Sequence, residues 1–546
     1  MTTPRPAQAR LALLACILAS SLVGMDSLMT TVALSSIAET LDVGMSAQQW
    51  VLAAFLVTLG SLLLVGGALG DVYGRWRVFR WGTAAFGLAA AICALAPNAP
   101  TLIAGRMVQG AAAALLLPNV LAVLTSMFSG EARSKAIGSW SAWSGLSVIA
   151  GPPVGGLVIS LVSWPGVYWL EVPLALSVLA LIVKADPRTD DRGRGRVDLV
   201  GALLAVPAIG GVAFYLIQGA SLGWSSPGAL AALGAGIGCG VVFLWWERRT
   251  TDPLLPLTLF RIRDFTVINI VTFILYGGLI SCGTYTVLFL QDFRGYPPAV
   301  AGLVSAIPII VLFASSSRFG ALADRYGARL FIGGGAIVAG LGILILLLVG
   351  SEADLYTVVI PSTLVHGIGL SMLVAPLTAG VMSSVDEERT GAASGVNNAV
   401  ARIGSMLAIA VVGLLISAQF STNVDEQLAR LDPGPELKTA VAAAAEQPLA
   451  GSLPADATDA QRDAVEPLLR DASLDAFRTA VVVMGGLAVL AGAVTLVGMR
   501  RPPRRLSAEG TLGCPITGVR IHRDEPAISP LRRAPADLLP DAANPG

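Results

Sequence analysis

Two charged residues lie inside long apolar runs, where an ionisable side chain is costly. Asp26 stands in the middle of the first run, and Arg106 stands in the fourth. Ionisable residues within membrane-spanning segments pair with one another or mark ion pathways. Removal from water favours the protonated form of a carboxyl group, which is what a proton carrier requires. The sequence therefore leaves two interpretations of Asp26: a proton-binding group, or one partner of a static ion pair with Arg106.

A further acid, Glu171, follows the aromatic stretch that begins at Trp164 and lies at the outer end of the sixth run. An acid there can bind a cation or relay a proton, although span ends also tolerate a charge that faces water. His366, in the middle of the twelfth run, either titrates near neutral pH or is packed and hydrogen-bonded. We predict Asp26, Arg106 and Glu171 as the proton-coupling residues.

Several polar and aromatic residues within the runs are candidates for lining a substrate cavity. Intramembrane amides either line such a cavity or hydrogen-bond between helices, and Arg402 shares this ambiguity. Aromatic residues either contact ligands or serve as interfacial and packing residues. The predicted cavity residues are Trp50, Gln109, Asn397 and Asn398.

A short charged phrase occurs twice, each time at the end of an apolar run. The first copy spans residues 67–77 and the second spans residues 320–329. Their glycines permit tight turns, and their aspartates at helix ends can meet arginines of the turn or the N-terminus of a neighbouring helix. The phrase is either a basic turn that sets topology or a latch that holds one conformation. We predict a latch formed by Gly67, Asp71, Gly74, Arg75, Arg77, Asp324, Arg325 and Arg329.

A run of glycine and proline lies within the fifth apolar segment, at residues 151–156. Pro152 and Pro153 remove two backbone donors and bend the helix. The flanking glycines let a partner helix approach closely. The run thus predicts a kinked, closely packed span that includes Gly151, Gly155 and Gly156.

The composition restricts the class of protein. The 546 residues are 54% hydrophobic and 13% charged, against about 25% charged in soluble proteins, so the chain is predicted to be a polytopic membrane protein. The net charge of zero gives no sign of nucleic-acid binding. The GxxxxGK[ST] phosphate-binding pattern is absent from the sequence, so nucleotide is not the expected energy source. We expect no cofactor and no metal.

Fourteen apolar runs are long enough to span a bilayer, each needing about 20 residues. They begin near residues 11, 50, 78, 102, 136, 167, 199, 230, 267, 299, 330, 356, 392 and 480. Arginine and lysine cluster in every second loop, which predicts that both termini are cytoplasmic. The spacing of the repeated phrase predicts two six-helix halves, 1–185 and 264–499, with two additional spans in 186–263. Within the second half, 419–473 is predicted to be an extracytoplasmic segment, and 500–546 a disordered cytoplasmic tail.

These motifs resemble those of the major facilitator superfamily. The repeated phrase resembles its signature loop, Arg106-Met-Val-Gln109-Gly110 its Arg-x-x-Gln-Gly motif, and 151–156 the Gly-Pro-x-x-Gly-Gly motif of its antiporters. Asp26 matches the acid of the first-span motif, although Leu28, Thr31 and Ser35 depart from it. With fourteen spans, the chain is similar to the fourteen-helix drug/proton antiporters. The resemblance implies export of drugs, antibiotics or lipophilic metabolites across the bacterial cell membrane, driven by proton entry.

Two other functions remain open from the sequence. A solute importer or facilitator could use the same fold, although the antiporter motif and the two additional spans favour export. A membrane enzyme or sensor is the second alternative, and the spans contain no His/Cys/Glu metal pattern and no nucleophile motif that would favour it.

Overall fold

The structure is a computed structural model that describes residues 6–128, 130–185, 197–251, 253–350, 355–386, 389–431, 441–453 and 458–499. Fourteen long α-helices occupy these ranges. They are α1 Pro6–Leu41, α2 Met45–Tyr73, α3 Arg75–Ala94, α4 Ala99–Met127, α5 Gly130–Leu161, α6 Pro165–Ala185, α7 Leu199–Leu222, α8 Pro227–Glu247, α9 Arg263–Leu288, α10 Pro298–Tyr326, α11 Ala328–Leu344, α12 Ile360–Ser383, α13 Thr390–Leu431 and α14 Asp459–Gly498.

Short irregular turns adjoin some of these helices. A 3₁₀ turn, Leu257–Arg261, precedes α9, and a π turn, Phe289–Phe293, continues it. A second 3₁₀ turn, Ile345–Leu348, continues α11, and a second π turn, Leu355–Val359, leads into α12. We call the end of the bundle at which α1 begins the inner end, following the predicted orientation, and the opposite end the outer end.

Thirteen helices in the described ranges are long and apolar enough to cross a membrane by length and composition. The remaining long helix is α3, whose first six residues include Arg75, Arg77 and Arg80. Arginines at a helix end can extend their charged groups to the membrane surface while their stems stay in apolar surroundings. Because α3 packs against α4 and α6 within the bundle, the fourteen-helix architecture predicted from the sequence is confirmed.

The first six and the last six helices pack in the same pattern. In the first six, α1 contacts α5 and α6, α2 contacts α4, and α3 contacts α4 and α6. In the last six, α9 contacts α13 and α14, α10 contacts α12, and α11 contacts α12 and α14. Adding eight to each helix number converts the first set of pairs into the second. The chain therefore forms two six-helix halves, which meet where α2 packs on α13 and α5 packs on α10.

The two additional helices, α7 and α8, form a hairpin beside this joined pair of halves. Asp198 caps α7 by accepting a hydrogen bond from the backbone N–H of Gly201, and Trp246 at the end of α8 donates its indole N–H to the same carboxylate at 2.9 Å. The hairpin packs through α7 against α2 and α13.

The repeated phrase forms the same turn in both halves. Gly74 and Gly327 both have φ of +100°, a backbone conformation that residues with a side chain rarely adopt. Each turn glycine donates its N–H to the carbonyl four residues earlier, Gly70 in the first copy and Ala323 in the second. Both glycines join an incoming helix directly to the next one, so the repeat in the sequence is a repeat in the backbone.

Much of the polar segment 419–473 is helical where the structure describes it. Helix α13 continues to Leu431, and residues 459–473 form the first part of α14. Val465 and Leu469 are buried there, and Phe477 further along stacks on Phe289 with ring centroids 4.0 Å apart. The predicted tail, 500–546, lies outside the described residues.

Candidate functional site

The predicted intramembrane charges lie together in the first half. Arg106 on α4 donates through Nη1 to Oδ1 of Asp26 on α1, at 2.5 Å, and to Oε1 of Gln109, at 2.7 Å. Gln109 in turn donates through Nε2 to Oε2 of Glu171 on α6, at 2.6 Å. All four side chains are fully buried. We call Asp26, Arg106, Gln109 and Glu171 the charge cluster.

Aromatic and backbone groups hold the guanidinium of the cluster in place. Arg106 donates through Nε to the carbonyl of Val51 on α2, at 3.1 Å. Its charged carbon lies 4.4 Å from the ring centroid of Phe55 and 5.9 Å from that of Tyr168, distances at which a cation is attracted to an aromatic face. The hydroxyl of Thr30 on α1 lies 3.4 Å from that of Tyr168. Four helices thus fix the position of one positive charge.

The charge cluster contains one more acid than base. With every group ionised, the two carboxylates and one guanidinium would carry a net charge of −1 in surroundings that stabilise charge poorly. Oδ2 of Asp26 and Oε1 of Glu171 have no hydrogen-bond partner among the described residues. One proton on either carboxyl group makes the cluster neutral, so the arrangement is suited to binding and releasing a single proton.

The predicted glycine–proline run lies where the two halves cross. A Cβ added to Gly156 on α5 would overlap the carbonyl of Pro298 and the backbone of Ala299 on α10. A Cβ added to Gly302 on α10 would overlap the carbonyl of Pro152. Each helix therefore contributes a glycine that faces the backbone of the other. The run is part of the contact between halves as well as a kinked segment.

The other two glycines of the run face the first helix. A Cβ on Gly151 would lie 3.3 Å from Cα of Met25, and one on Gly155 would lie 3.0 Å from Cα of Met29. Met25 precedes Asp26 in the chain. The same stretch of α5 thus contacts both the helix that carries the cluster aspartate and the opposite half.

Hydrogen bonds join the halves at the outer end. Gln49 on α2 donates to the hydroxyl of Tyr285 on α9, at 3.2 Å, and this hydroxyl donates to the carbonyl of Ile409 on α13, at 2.5 Å. Gln291, in the π turn after α9, donates to the carbonyl of Val32 on α1, at 3.0 Å. These bonds, which we call the outer gate, close the outer end between the halves.

The inner end contains a hollow between the halves. A cavity of about 470 Å³ is lined by Leu64 and Ala68 of α2, by Asp198, by Arg389 and Ala392 near the start of α13, and, in the segment before α9, by Thr251, Pro253, Leu254, Pro256, Thr258 and Leu259. The cavity therefore touches both halves and the hairpin. The cavity lies at the opposite end of the bundle from the outer gate.

The predicted latch residues lie at the inner end, in their two turns. Asp71 forms an ion pair with Arg75 four residues later, with a distance of 3.1 Å and both side chains exposed. Arg325 lies over the ring of Tyr326, and Arg329 donates to the carbonyl of Leu496 on α14. Neither Asp71 nor Asp324 forms an ion pair with the other phrase in the part of the chain that the structure describes.

The glycines of the first phrase differ in what they face. Asn119 on α4 bonds to the carbonyl of Gly66, and its side chain occupies the space beside Gly70, whereas Gly67 has only ordinary contact with Pro118. The close approach of α2 to α4 thus depends on Gly66 and Gly70, which frame the predicted Gly67.

Comparison with known proteins agrees with this architecture. Residues 16–409, more than half of the chain, match the Major Facilitator Superfamily. The chain belongs to the major facilitator superfamily. The multidrug resistance protein Stp of Mycobacterium tuberculosis (strain CDC 1551 / Oshkosh) is 33% identical over 436 residues, which cover 78% of this chain and 79% of that protein.

Other relatives in the superfamily are similar over most of their length. The methylenomycin A resistance protein of Streptomyces coelicolor (strain ATCC BAA-471 / A3(2) / M145) is 32% identical over 394 residues, 72% of this chain and 82% of that protein. Among solved structures, a bacterial homologue of the human lysosomal transporter Spinster matches with a TM-score of 0.61 and 15% identity, covering 91% of this chain and 100% of that one. This last similarity concerns the fold alone.

The predicted cavity residues of this superfamily member are spread over different surroundings. Gln109 is part of the charge cluster. Trp50 lies on the side of the hairpin, with its ring 6.1 Å from that of Phe214 on α7. Asn397 donates to Thr272 at 2.8 Å and to Asn269 at 3.2 Å, both on α9. Asn398 is exposed. The structure therefore does not bring these four residues together.

Some residues around Arg106 and in the outer gate could not be identified from the sequence. Val51 and Tyr168 contact Arg106, although in the sequence they resemble ordinary members of apolar runs. The sequence indicates the outer gate only weakly. Gln49 lies within an apolar run, and a buried glutamine needs a hydrogen-bond partner, but the sequence does not identify Tyr285 as that partner. His366 is buried, with Nδ1 lacking a hydrogen-bond partner among the described residues, and it lies away from the charge cluster, on the other half.

Proposed function

We propose that this protein exports small organic compounds, such as drugs, antibiotics or lipophilic metabolites, across the bacterial cell membrane in exchange for protons. The observation that carries the proposal is the charge cluster, in which two buried carboxyl groups share one guanidinium. Two of the relatives are a multidrug resistance protein and a methylenomycin A resistance protein, which supports export as the direction. The fourteen-helix architecture supports the same class.

The proposed mechanism is alternating access between the two halves. In the conformation described, the outer gate is closed and substrate reaches the interior from the inner cavity. Rocking of the halves about the α2–α13 and α5–α10 contacts would open the outer end. Glycines at the α5–α10 crossing keep the helices close enough for their backbones to slide over one another without bulky side chains in between.

The proton would act through the cluster. A proton that enters from outside binds the carboxyl pair, at the free oxygen of Asp26 or of Glu171, and removes the excess negative charge. Gln109 links Glu171 to the guanidinium, so a change of charge on either acid alters the hydrogen bonds of Arg106. Because Arg106 also donates to the carbonyl of Val51, the change reaches α2. Because α5 packs on α1 beside Asp26 and on α10, the same change reaches the crossing between halves.

The test is proton release from the purified protein on addition of substrate, together with efflux against a gradient in vesicles. A substrate is first chosen as a compound that a host tolerates better when the protein is expressed. Asp26→Asn keeps the size of the side chain and mimics its protonated form, so we expect loss of proton release and of uphill efflux, with substrate binding retained. Glu171→Gln should lower proton release in the same way.

Glu247→Gln is the matched control, because Glu247 is a buried carboxyl on α8, outside both halves. It should release protons like the parent protein. Normal proton release and uphill pumping by Asp26→Asn and by Glu171→Gln would place the proton carrier elsewhere. Uptake from the outside in the same vesicles would instead indicate an importer.

The orientation that the mechanism needs is tested separately. A reporter fused after Gly451 should lie outside the cell, and one fused after Gly510 should lie inside. Reports from the same side for both fusions would contradict the predicted topology.

A further inference from the structure

A second intramembrane arginine, Arg402, lies in the other half. It is twelve residues along α13 from Thr390, which corresponds to about 18 Å of helix rise and thus to the middle of a membrane span. Its Cβ lies 3.2 Å from the position that a Cβ on Gly60 of α2 would occupy. Because α2 and α13 belong to different halves, Arg402 lies at the contact between them.

Arg402 differs from Arg106 in its partners. Arg106 bonds to a carboxylate, an amide and a carbonyl, whereas no hydrogen bond or ion pair to Arg402 occurs among the described residues. Tyr276 on α9 lies within electrostatic range. The side chain of Arg402 is only partly buried, so part of it remains accessible for a further contact.

The helices around Arg402 offer no counter-charge at this depth. Between residues 45 and 70 of α2, 199 and 222 of α7, 265 and 288 of α9, 360 and 383 of α12, 390 and 418 of α13, and 476 and 498 of α14, the sequence contains no aspartate or glutamate. An unpaired charge in the middle of a membrane span is expensive, and such residues face cavities or substrate pathways. The cost falls when an anion binds, since charge-assisted bonds to guanidinium are among the strongest hydrogen bonds in proteins.

We propose that Arg402 binds the acidic group of the exported compound, so that the preferred substrates are amphipathic organic anions such as aromatic carboxylates. This inference rests on the proposed transport function and specifies its substrate class. Tyr276, which lies within electrostatic range of the guanidinium, would contact the apolar part of such a compound. Glycine at position 60 lets α2 approach α13 closely beside the Cβ of Arg402, which places the guanidinium-bearing side chain at the contact between the halves.

The anion site and the proton site are separate. Along α2, the carbonyl that anchors Arg106 is at Val51 and the glycine beside Arg402 is at position 60, so the two sites lie about 14 Å apart along the helix axis. They also belong to different halves. Exchange of substrate for proton would therefore come from the rocking of the halves, and the two ligands would not compete for one group.

The test compares three probes of the same shape on the purified, full-length protein in detergent. The probes are 2-naphthoate, 2-naphthylmethanol and 2-naphthylmethylammonium, and the dissociation constants are taken from the ligand-dependent rise in unfolding temperature. We expect 2-naphthoate to bind at least about tenfold more tightly than the alcohol, and the amine to bind no better than the alcohol. Arg402→Gln should bring the acid and the alcohol within about threefold of each other while leaving the alcohol unchanged.

Two controls define the result. Arg402→Lys keeps the charge and should keep part of the preference, and Arg249→Gln removes an arginine that lies over Trp245 in the hairpin and should keep all of it. Equal binding of acid and alcohol by the parent protein, binding of neither probe, or a preference that survives in Arg402→Gln would overturn the proposal.

Two further measurements separate the proposal from its nearest alternatives. Asp26→Asn should retain the preference for 2-naphthoate, so failure of the anion site and failure of proton coupling give different results. Phosphatidylglycerol in mixed micelles tests a lipid phosphate as the anion. Displacement of bound 2-naphthoate only at high lipid content supports the substrate, whereas lipid binding that depends on Arg402 without any 2-naphthoate binding contradicts it.

Discussion

Gln49 on α2 and Tyr285 on α9 form a buried hydrogen bond of 3.2 Å between the two halves. Because Tyr285 also donates to the carbonyl of Ile409 on α13, its hydroxyl links three helices at the outer end. A conformation open to the outside must break this link.

We expect Tyr285→Phe to favour the outward-open state. One neutral hydrogen bond contributes about 1 kcal/mol, which corresponds to about a fivefold shift in the population ratio. Spin labels at Thr40 and Thr422, exposed outer positions in different halves, would report a larger fraction of long distances in a cysteine-free background. Thr284→Val is the control, because Thr284 bonds within α9 to Ile280. The same distance distribution in Tyr285→Phe and the parent protein would show that the bond does not hold the gate.

The stability of the charge cluster should depend on its two acids together. Asp26→Asn leaves Glu171 to balance Arg106, and Glu171→Gln leaves Asp26, so each single variant should unfold with a modest loss of stability. The double variant leaves a buried positive charge without an acid, and removing the partner of such a charge costs about 3–5 kcal/mol. Denaturant titration in mixed micelles should show the double variant destabilised beyond the sum of the singles by about 2 kcal/mol or more.

Adding Arg106→Gln to the double variant provides the control for this cycle. It removes the unbalanced charge and should restore part of the lost stability. Strict additivity of the two single effects would mean that the acids do not share the guanidinium.

The crossing of α5 and α10 should be sensitive to a single methyl group. Gly156→Ala places a Cβ against Pro298, and overpacking of this kind costs about 1–3 kcal/mol. The added Cβ opposes the close approach of α5 and α10 in the outward-closed state. We therefore expect slower transport and, as for Tyr285→Phe, a larger fraction of long distances between the spin labels at the outer end. Gly138→Ala, on the same helix with no atom within 4 Å of the added Cβ, should transport normally. Equal transport by the two variants would remove the crossing from the mechanism.

The repeated phrase should matter for transport more than for stability. The Asp71–Arg75 pair is exposed, and exposed pairs contribute about 0–1 kcal/mol, so Asp71→Asn should insert and unfold much like the parent protein. If the phrase is a latch for the opposite conformation, efflux by Asp71→Asn should fall severalfold. Glu466→Gln removes a similar pair with Arg462 at 3.5 Å and should leave efflux unchanged. Normal efflux by a well-expressed Asp71→Asn protein would reduce the phrase to a topology signal.

The sequence predicted the helices and the repeat well because both depend on local patterns. Apolar length identifies a span, and the paired glycines of the phrase require the same positive φ in both copies. The proximity of Asp26 and Arg106 also followed from the need of each buried charge for a partner. These inferences require no knowledge of how distant segments meet.

The remaining features depend on packing that the sequence does not reveal. Glu171 lies near the end of a span, where the sequence alone suggests contact with water. In the structure α1 and α4 pack over it and its side chain is completely buried. Asn397 was predicted to line a cavity, with a bond between helices as the alternative, and it bonds to α9; the rotation of α13 about its own axis decides which side its amides face. Trp50 contacts α7 because the hairpin occupies that side of α2, a position that no motif encodes.

The placement of the hairpin makes the two sides of the transporter unequal. A protein of two similar halves has two seams that face the lipid, one between α2 and α13 and one between α5 and α10. Helix α7 packs over the first seam, on both α2 and α13, and α8 packs on α7. A compound dissolved in the bilayer would thus meet a covered seam on one side and, among the helices that the structure describes, an uncovered one on the other. Lateral entry from the membrane would be directed to the α5–α10 side, where the glycines of the crossing lie.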